Sequence, residues 1–412
     1  MLKLFIGIVL TLCIFNSQSA EMSLKGIVDL RAVHVTSDAN ADSYLAGDYG
    51  KFRFNTGSEL ALGQLGLQYK VDWQNNWSAT VVGNGFADQN DTAVGITEAY
   101  LQYKGLPNAD GWRISGKAGV YYPHISIENI ATAWSTPYTI TSSTINNWLG
   151  EEIRNSGFGL SVEKLGKQSR SPHSFIVDLD LFQNNDSAGA MLTWHGWTVG
   201  SRQTLLHERL VVQQFPAREG MLADQAAHSD PFIELDHRWG FNVSGQWRYK
   251  NTLRVQAGYY DNQAKKGIVE KGQYTWTTAF SHASFKYKFA KTWELMGQFM
   301  QGNTLMNSPQ LTEVVNNDFN SQYLMLRKFW GKHHIALRAE YFNVDDLDQT
   351  IGDNNNESGH AYALAYRYRL SKQSFVLGEY THVDSSRWSR RYQNQPIELT
   401  ERQYQLSYRH YF

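Results

Sequence analysis

The chain contains 412 residues, of which 42% are hydrophobic, 14% aromatic and 19% charged, and its mean hydropathy is −0.47. Its 38 Lys and Arg residues nearly balance 39 Asp and Glu residues, leaving a formal net charge of −1. This composition excludes a disordered chain and a basic nucleic-acid binder, so no nucleic-acid partner is expected. It also excludes a helical membrane protein, which needs repeated apolar spans of about 20 residues. One to three soluble domains or one large barrel remain.

Residues 1–20 have the pattern of a secretory signal peptide. Lys3 precedes a run from Leu4 to Phe15 that is apolar except for Thr11, and small or polar residues follow up to Ala20. This run of about 12 residues is too short to cross a bilayer as a helix. The sequence therefore predicts export of residues 21–412 as a single domain. Cys13, the only cysteine, lies inside the signal, which predicts a mature chain without disulfides or thiolate metal ligands.

The exported part begins with a segment whose side chains alternate between apolar and charged. Leu24 and Leu30 share one parity, whereas Asp29 and Arg31 have the other. Alternation with a period of two over about ten residues is typical of a strand in a transmembrane β-barrel, with one face toward lipid and one toward the lumen. The same pattern recurs in residues 240–250, 333–342, 360–370 and 401–412.

Eighteen segments of this kind follow one another along the chain, nine before residues 207–235 and nine after them. Two of them, residues 188–195 and 197–206, are weak because they flank a very short turn, and sixteen strands are the alternative. Both numbers are even, which places the two chain ends on one side of the membrane. A barrel of either size is wide enough to hold an aqueous channel.

The connectors in the C-terminal half alternate in length. Short turns on one side and long polar loops on the other are typical of the periplasmic and extracellular ends of an outer-membrane barrel. The short turns are predicted at residues 250–252, 290–292, 331–333 and 371–373, and the long links near residues 262–272, 303–318, 345–358 and 385–398.

The last residues, ERQYQLSYRHYF, form an alternating segment that ends on Phe412. In this respect the chain resembles bacterial outer-membrane β-barrel proteins, although His410 stands where that family usually has an apolar residue. Residues 231–247 are also similar to a group of proteobacterial porin-like proteins, distantly like the phosphate-selective porins. The resemblance implies an all-β barrel of 16 to 18 strands in the outer membrane of a Gram-negative bacterium. It further implies contacts with lipid and lipopolysaccharide and a homotrimer as one assembly.

Residues 123–155 are predicted as the third outer loop and carry much apolar content for a solvent-exposed segment. In the porins that this chain resembles, the third loop folds into the barrel and narrows it. The alternative is that the charges of the wall are an ordinary solvated lumen face. The pore candidates are Glu128, Glu151, Glu152 and Arg154 in the loop and Arg31, Arg113, Lys117, Arg202, Arg238 and Arg248 on the wall.

Motifs of enzymes and metal sites are not found. Residues 111–118 nearly match a phosphate-binding loop but end on Ala118, and His333 and His334 are adjacent, so they point to opposite faces of a strand. No catalytic residue, cofactor or metal is expected. The leading hypothesis is therefore a porin for passive diffusion of small polar or ionic solutes. The alternatives are an outer-membrane enzyme and a plugged structural or adhesive barrel.

Overall fold

The computed structural model describes residues 20–412, which form a closed antiparallel β-barrel of sixteen strands. The signal peptide predicted at residues 1–20 lies outside the described residues, except for Ala20. The all-β barrel is confirmed, with sixteen strands instead of the favoured eighteen. The barrel strands are β1 Glu21–Ser37, β2 Gly57–Asp72, β3 Trp77–Ala87, β4 Thr92–Lys104, β5 Trp112–Tyr121, β6 Asn155–Lys164, β7 His173–Phe182, β8 Gly240–Tyr249, β9 Leu253–Asp261, β10 Trp276–Ala290, β11 Trp293–Asn307, β12 Glu313–Trp330, β13 His333–Asp346, β14 Glu357–Arg369, β15 Ser374–Arg387 and β16 Glu398–Tyr411.

The barrel closes where β1 pairs with β16 as well as with β2. Ile27 lies opposite Tyr411, and the main chains of Gly26 and Phe412 exchange two hydrogen bonds of 2.8 and 3.1 Å. Each of the sixteen barrel strands therefore has two hydrogen-bonded neighbours. This closure satisfies the backbone groups that an open sheet edge would leave unpaired in lipid.

Side chains alternate across the barrel wall as predicted. In β1 the side chain of Leu30 is 50% exposed on the outside, whereas Asp29 and Arg31 point inward and are buried. Strands β8, β13, β14 and β16 show the same alternation. The pattern of the sequence therefore assigns the lipid and lumen faces of these strands correctly.

The prediction of two strands at residues 188–195 and 197–206 is wrong. The described residues contain two α-helices, α1 Thr144–Glu152 and α2 Ala190–Trp194, and α2 occupies the first of these two segments. Gly189 and Gly196 flank α2 with φ angles of 99° and 77°, which interrupt an extended chain. The chain from 188 to 205 is buried on all sides because it lies inside the barrel, so its alternation does not separate a lipid face from a lumen face.

The connectors differ strongly between the two ends of the barrel. The long link predicted at residues 303–318 is wrong, because β11 continues to Asn307 and β12 begins at Glu313. The other predicted short turns and long links lie at opposite ends of the barrel, as predicted. The turn end carries residues 73–76, 105–111, 165–172, 250–252, 291–292, 331–332 and 370–373, and the loop end carries residues 38–56, 88–91, 122–154, 183–239, 262–275, 308–312, 347–356 and 388–397.

The outside of the barrel is apolar. Leu337, Leu364 and Leu406, on three different strands, are 50%, 46% and 58% exposed. Aromatic pairs such as Trp77 with Tyr103, with ring centroids 5.3 Å apart, lie beside the turn end. Apolar outward strands bordered by aromatic side chains match a barrel surface in contact with lipid. No helix within residues 20–412 is both long and apolar enough to cross a membrane.

Two connectors of the loop end fold into the barrel. We call residues 122–154 the lumenal loop and residues 183–239 the second lumenal segment. Every residue of α1, in the lumenal loop, is buried, and Trp148 packs edge-on against Phe280 and Phe319 of the wall at centroid distances of 5.3 and 5.4 Å. Inward apolar side chains of β10 to β13 thus form a core with the two segments instead of lining open water.

The outward face of β13 provides a test of the fold. Leu337 lies between Leu326 and Leu364 on the neighbouring strands. We expect Leu337→Arg to lower the free energy of unfolding by about 2 to 4 kcal/mol, because it places a charge against hydrocarbon. The matched control is Leu311→Arg, in a connector at the loop end, where little change is expected. Urea unfolding in lipid vesicles measures both variants, and equal effects would contradict the assigned lipid face.

Candidate functional site

The lumenal loop is held against the wall by a buried ionic cluster, which we call the latch: Glu128 of the loop and Arg338 and Glu340 of β13. Arg338 Nη1 lies 2.9 Å from Glu128 Oε1, and Arg338 Nε lies 2.6 Å from Glu340 Oε1. All three side chains are fully buried. Arg338 also donates hydrogen bonds to the carbonyl oxygens of Thr141 and Ser142, at 2.7 and 3.1 Å. Because both carboxylates and the guanidinium are paired, the cost of burying their charges is offset.

Carboxylates of the wall also bind the start of α1. Glu340 accepts a hydrogen bond of 2.7 Å from the backbone N–H of Thr144. Glu379 of β15 accepts bonds of 2.6 and 3.0 Å from the N–H groups of Ile140 and Thr141, just before the helix. The first N–H groups of a helix lack intrahelical partners and carry partial positive charge, so Glu340 stabilises α1 directly, whereas Glu379 holds the chain that leads into it.

A second ionic cluster joins the wall to both segments. Asp29 Oδ2 lies 2.7 Å from Arg31 Nη2 and 2.8 Å from Arg409 Nη2. Arg409 donates a bond of 2.7 Å to the carbonyl oxygen of Thr136 in the lumenal loop, and Arg31 donates one of 2.6 Å to Ser201 Oγ in the second lumenal segment. The pair of strands that closes the barrel, β1 and β16, therefore also binds both segments inside it.

Helix α2 is bound at both ends by charged side chains. Glu152, the last residue of α1, accepts hydrogen bonds of 3.1 and 3.3 Å from the N–H groups of Met191 and Leu192. At the other end, Arg387 of β15 donates bonds of 2.6 and 3.0 Å to the carbonyl oxygens of Thr193 and Trp194. A carboxyl acceptor at the first turn and a cation at the last turn both match the direction of the helix dipole. The position of α2 thus depends on that of α1.

A polar cavity of about 560 Å³, which we call the vestibule, lies between the lumenal loop and the wall from β4 to β9. Several of its charged residues adjoin the short turns, so it faces the turn end. Tyr122 and Trp134 of the lumenal loop stack at 4.1 Å on its border, and Arg154 lies 3.7 Å from the centre of the Tyr122 ring. The vestibule is lined by the cations Lys104, Arg113, Lys117, Arg248 and Arg254 and the anions Glu98, Glu163, Asp178 and Asp180.

The loop residues proposed from sequence as pore candidates are buried in protein contacts. Glu128 belongs to the latch and Glu152 binds α2. Arg154 donates a bond of 2.8 Å to the carbonyl oxygen of Thr97. Glu151 lies beside His195, with Glu151 Oε1 3.6 Å from His195 Nε2. These four side chains hold or adjoin the segments and do not line the vestibule.

The six wall candidates divide into three groups. Arg113, Lys117 and Arg248 line the vestibule, and Arg31 points inward but is paired with Asp29. Two predictions are corrected, because Arg202 and Arg238 do not lie on barrel strands. Arg202 belongs to the second lumenal segment and pairs with Asp91 and Glu208 at 3.0 and 2.5 Å. Arg238 is exposed in the connector before β8, which begins at Gly240.

Apart from Arg31, the wall residues that anchor the two segments were not among the candidates predicted from sequence. Arg338, Glu379, Arg387 and Arg409 occupy inward positions of regular strands, and the alternation alone identifies them as lumen-facing charges. Their partners are backbone groups and carboxylates of the distant segments. The sequence pattern predicts that these side chains point inward. Their anchoring role depends on contacts that form only in the closed barrel.

No protein-family model matches the sequence, and no curated protein matches it. Solved structures do resemble the fold. The outer membrane channel DcaP of Acinetobacter baumannii has a TM-score of 0.55 at 10% identity, covering 96% of this chain and 99% of that one. The anion-selective porin from Comamonas acidovorans has a TM-score of 0.53 at 14% identity, with 96% and 100% covered. The fold is that of a porin.

OmpT, an outer membrane protein of Vibrio cholerae, is a further neighbour in its trimer form. It has a TM-score of 0.51 at 9% identity and covers 96% of this chain and 100% of that one. At such identities the similarities concern the fold. The porin-like barrel that the resemblance implied is confirmed, and the solute and its path depend on the residues of this chain.

Removal of the cation from the latch should release the lumenal loop. Arg338→Gln leaves Glu128 and Glu340 buried without their ionic partner, for which we expect a loss of about 3 to 5 kcal/mol. The matched control is Arg402→Gln, since the Arg402–Asp38 pair is 38% and 61% exposed and such surface pairs contribute at most about 1 kcal/mol. Urea unfolding and protease cleavage within residues 122–154 measure the effect. Protection of the loop equal to that of the control would contradict the latch.

Glu152 should make stability depend on pH. Burial raises its pKa from 4.5 to about 7, against the opposing effect of its N–H donors. An acid with a raised folded-state pKa loses stability as pH rises, here from about 4.5 until about 7. Relative to the wild type, Glu152→Gln should therefore gain stability across this window and show a constant difference above it. Urea midpoints at a series of pH values measure this. If the wild type instead gains stability relative to Glu152→Gln as pH rises, the carboxylate is ionised in the folded protein and the prediction is wrong.

Proposed function

We propose that this protein is an outer-membrane channel through which small polar or ionic solutes diffuse passively. The observation that carries the proposal is the vestibule, a polar cavity inside a closed sixteen-strand barrel whose outer face is apolar. An apolar exterior suits a barrel embedded in lipid, and a polar interior suits hydrated solutes. The porin folds of DcaP and of the anion-selective porin agree with this function.

The vestibule should select weakly between ions. Its lining carries five cations and four anions, so neither sign dominates. Cations and anions lie near each other in places: Lys117 of β5 and Asp178 of β7 are separated by one strand, and His124 lies 3.5 Å from Lys117 Nζ and 3.4 Å from Asp178 Oδ1. Neighbouring charges of opposite sign produce a local field that orients dipolar solutes. We infer that zwitterionic or dipolar solutes suit this lining better than a single class of ion.

The two lumenal segments imply a narrow path. Because α1 and α2 pack against the wall from β10 to β15, we infer that the space for solutes is confined to the side of β4 to β9. We therefore infer that the conductance is smaller than that of a sixteen-strand barrel with an open lumen. The alternative function, a plugged structural or adhesive barrel, is favoured by the same packing and predicts no steady conductance.

The remaining parts of the proposal concern assembly and chemistry. The protein would act as a passive channel and not as an enzyme, in contact with outer-membrane lipid and lipopolysaccharide. A homotrimer is supported by the trimer form of the neighbour from Vibrio cholerae. Within the vestibule, Arg113, Lys117 and Arg248 are proposed to contact passing solutes. Planar bilayers with the purified protein distinguish small stepwise conductances from the silent membrane that a plugged barrel predicts.

Two charge changes in the vestibule should shift ion selectivity in opposite directions. Lys117→Gln removes a cation and should move the reversal potential in a salt gradient toward cation selectivity, whereas Asp178→Asn should move it toward anion selectivity. Lys271→Gln is the matched control, since this side chain is 80% exposed on a connector of the loop end. Unchanged reversal potentials for both vestibule variants would show that solutes do not pass along this lining.

A further inference from the structure

A second, smaller cavity of about 150 Å³ lies at the loop end, between the lumenal loop and the second lumenal segment. It shares no lining residue with the vestibule. Its lining includes Tyr44, Asp91, Glu151, His195 and Arg202. Its mouth is accessible from the loop end, because the side chain of Asp91 is 53% exposed. Two buried side chains in its lining have polar atoms without hydrogen-bond partners.

Glu151 is the first of these side chains. It belongs to the last turn of α1 and is 2% exposed. Neither of its two carboxylate oxygens has a hydrogen-bond partner among residues 20–412. An ionised carboxylate is costly to bury unless a cation or several donors compensate its charge. The nearby cation Arg202 does not compensate it, since its Nη2 atom pairs with Asp91 and Glu208.

His195 is the second. It follows α2 directly and is 1% exposed. Its Nδ1 atom lies 2.7 Å from the carbonyl oxygen of Gly196, which accepts a hydrogen bond and so favours the tautomer with its proton on Nδ1. The Nε2 atom then presents a lone pair, and it has no hydrogen-bond partner among the described residues. A backbone carbonyl that binds one ring nitrogen and orients the other is the usual environment of a metal-binding histidine.

The two groups are spaced for a shared metal ion. Glu151 Oε1 and His195 Nε2 are 3.6 Å apart, too far for a hydrogen bond. An ion at about 2.0 to 2.1 Å from each atom, the usual length of zinc bonds to nitrogen and oxygen, would subtend an angle of about 120° between them. This angle is near those of tetrahedral coordination, and the cavity leaves room for water at the other positions.

We propose that Glu151 and His195 bind a divalent transition metal ion such as Zn²⁺, with water completing its coordination. A neutral imidazole and a carboxylate are suitable ligands for this class of ion. Both ligands are held in place without the metal, since α1 is fixed by the latch and the His195 carbonyl accepts a bond of 3.1 Å from Lys51 Nζ. The ion ties the lumenal loop to the second lumenal segment at the outer mouth and so stabilises both inside the barrel.

Zinc titration of the purified, chelator-treated protein in detergent tests the site. We expect saturable binding of one equivalent of Zn²⁺ by calorimetry, and Co²⁺ should give the visible spectrum of a low-coordinate site. Glu151→Gln and His195→Gln should each weaken binding at least about tenfold, which is the lower range even for loss of a second-shell partner. Heat-dependent gel mobility of the barrel checks that each variant is folded.

Two control variants distinguish this site from others. His207→Gln removes an exposed histidine of the same segment, and Glu234→Gln removes one carboxylate from the cluster of Asp186, Glu234 and Asp236. Both should bind Zn²⁺ as the wild type does. Absence of saturable binding to the wild type would overturn the proposal and leave Glu151 and His195 as an ion pair. Unchanged affinity in both folded ligand variants would also overturn it. Neither result depends on whether the barrel conducts.

Discussion

The burial of Arg338 between Glu128 and Glu340 is the interaction on which the interior of this barrel depends. A charge inside a barrel must either meet water or be paired, and here the pairing partner belongs to a loop that enters from the outer end. This contact fixes the start of α1. The end of α1 then presents Glu152 to α2, so one ionic cluster on β13 determines, through successive contacts, where both lumenal segments lie.

The lumen is therefore divided into two parts with different physical character. Toward β10 to β13, inward side chains such as Phe280 and Phe319 pack against Trp148, and the space is filled as in a soluble core. Toward β4 to β9, the wall carries charges of both signs around a cavity. The packed part holds the segments against the wall, and the polar part is the space through which we propose that solutes pass. The proposed channel needs both, since a mobile loop would give no defined path.

The sequence predicted most of the barrel correctly and the interior poorly. Alternation identified the faces of β1, β8, β13, β14 and β16, because a side chain of a strand can point only toward lipid or toward the lumen. It failed for residues 188–206, where both faces meet protein and the same alternation carries no meaning. The correction for Arg202 follows from this error, whereas Arg238 lies just before β8, which begins at Gly240.

The sequence by itself determined that this chain is a barrel, with its strands, its outward face and its long loops, because these features depend on neighbours within about ten residues. Only the tertiary structure decided what fills the barrel. Glu128 and Arg338 are 210 residues apart, and Glu151 and His195 lie on different segments. Such pairs meet because closure of the barrel brings distant strands and loops into one enclosed space, where a buried charge is costly unless it is paired.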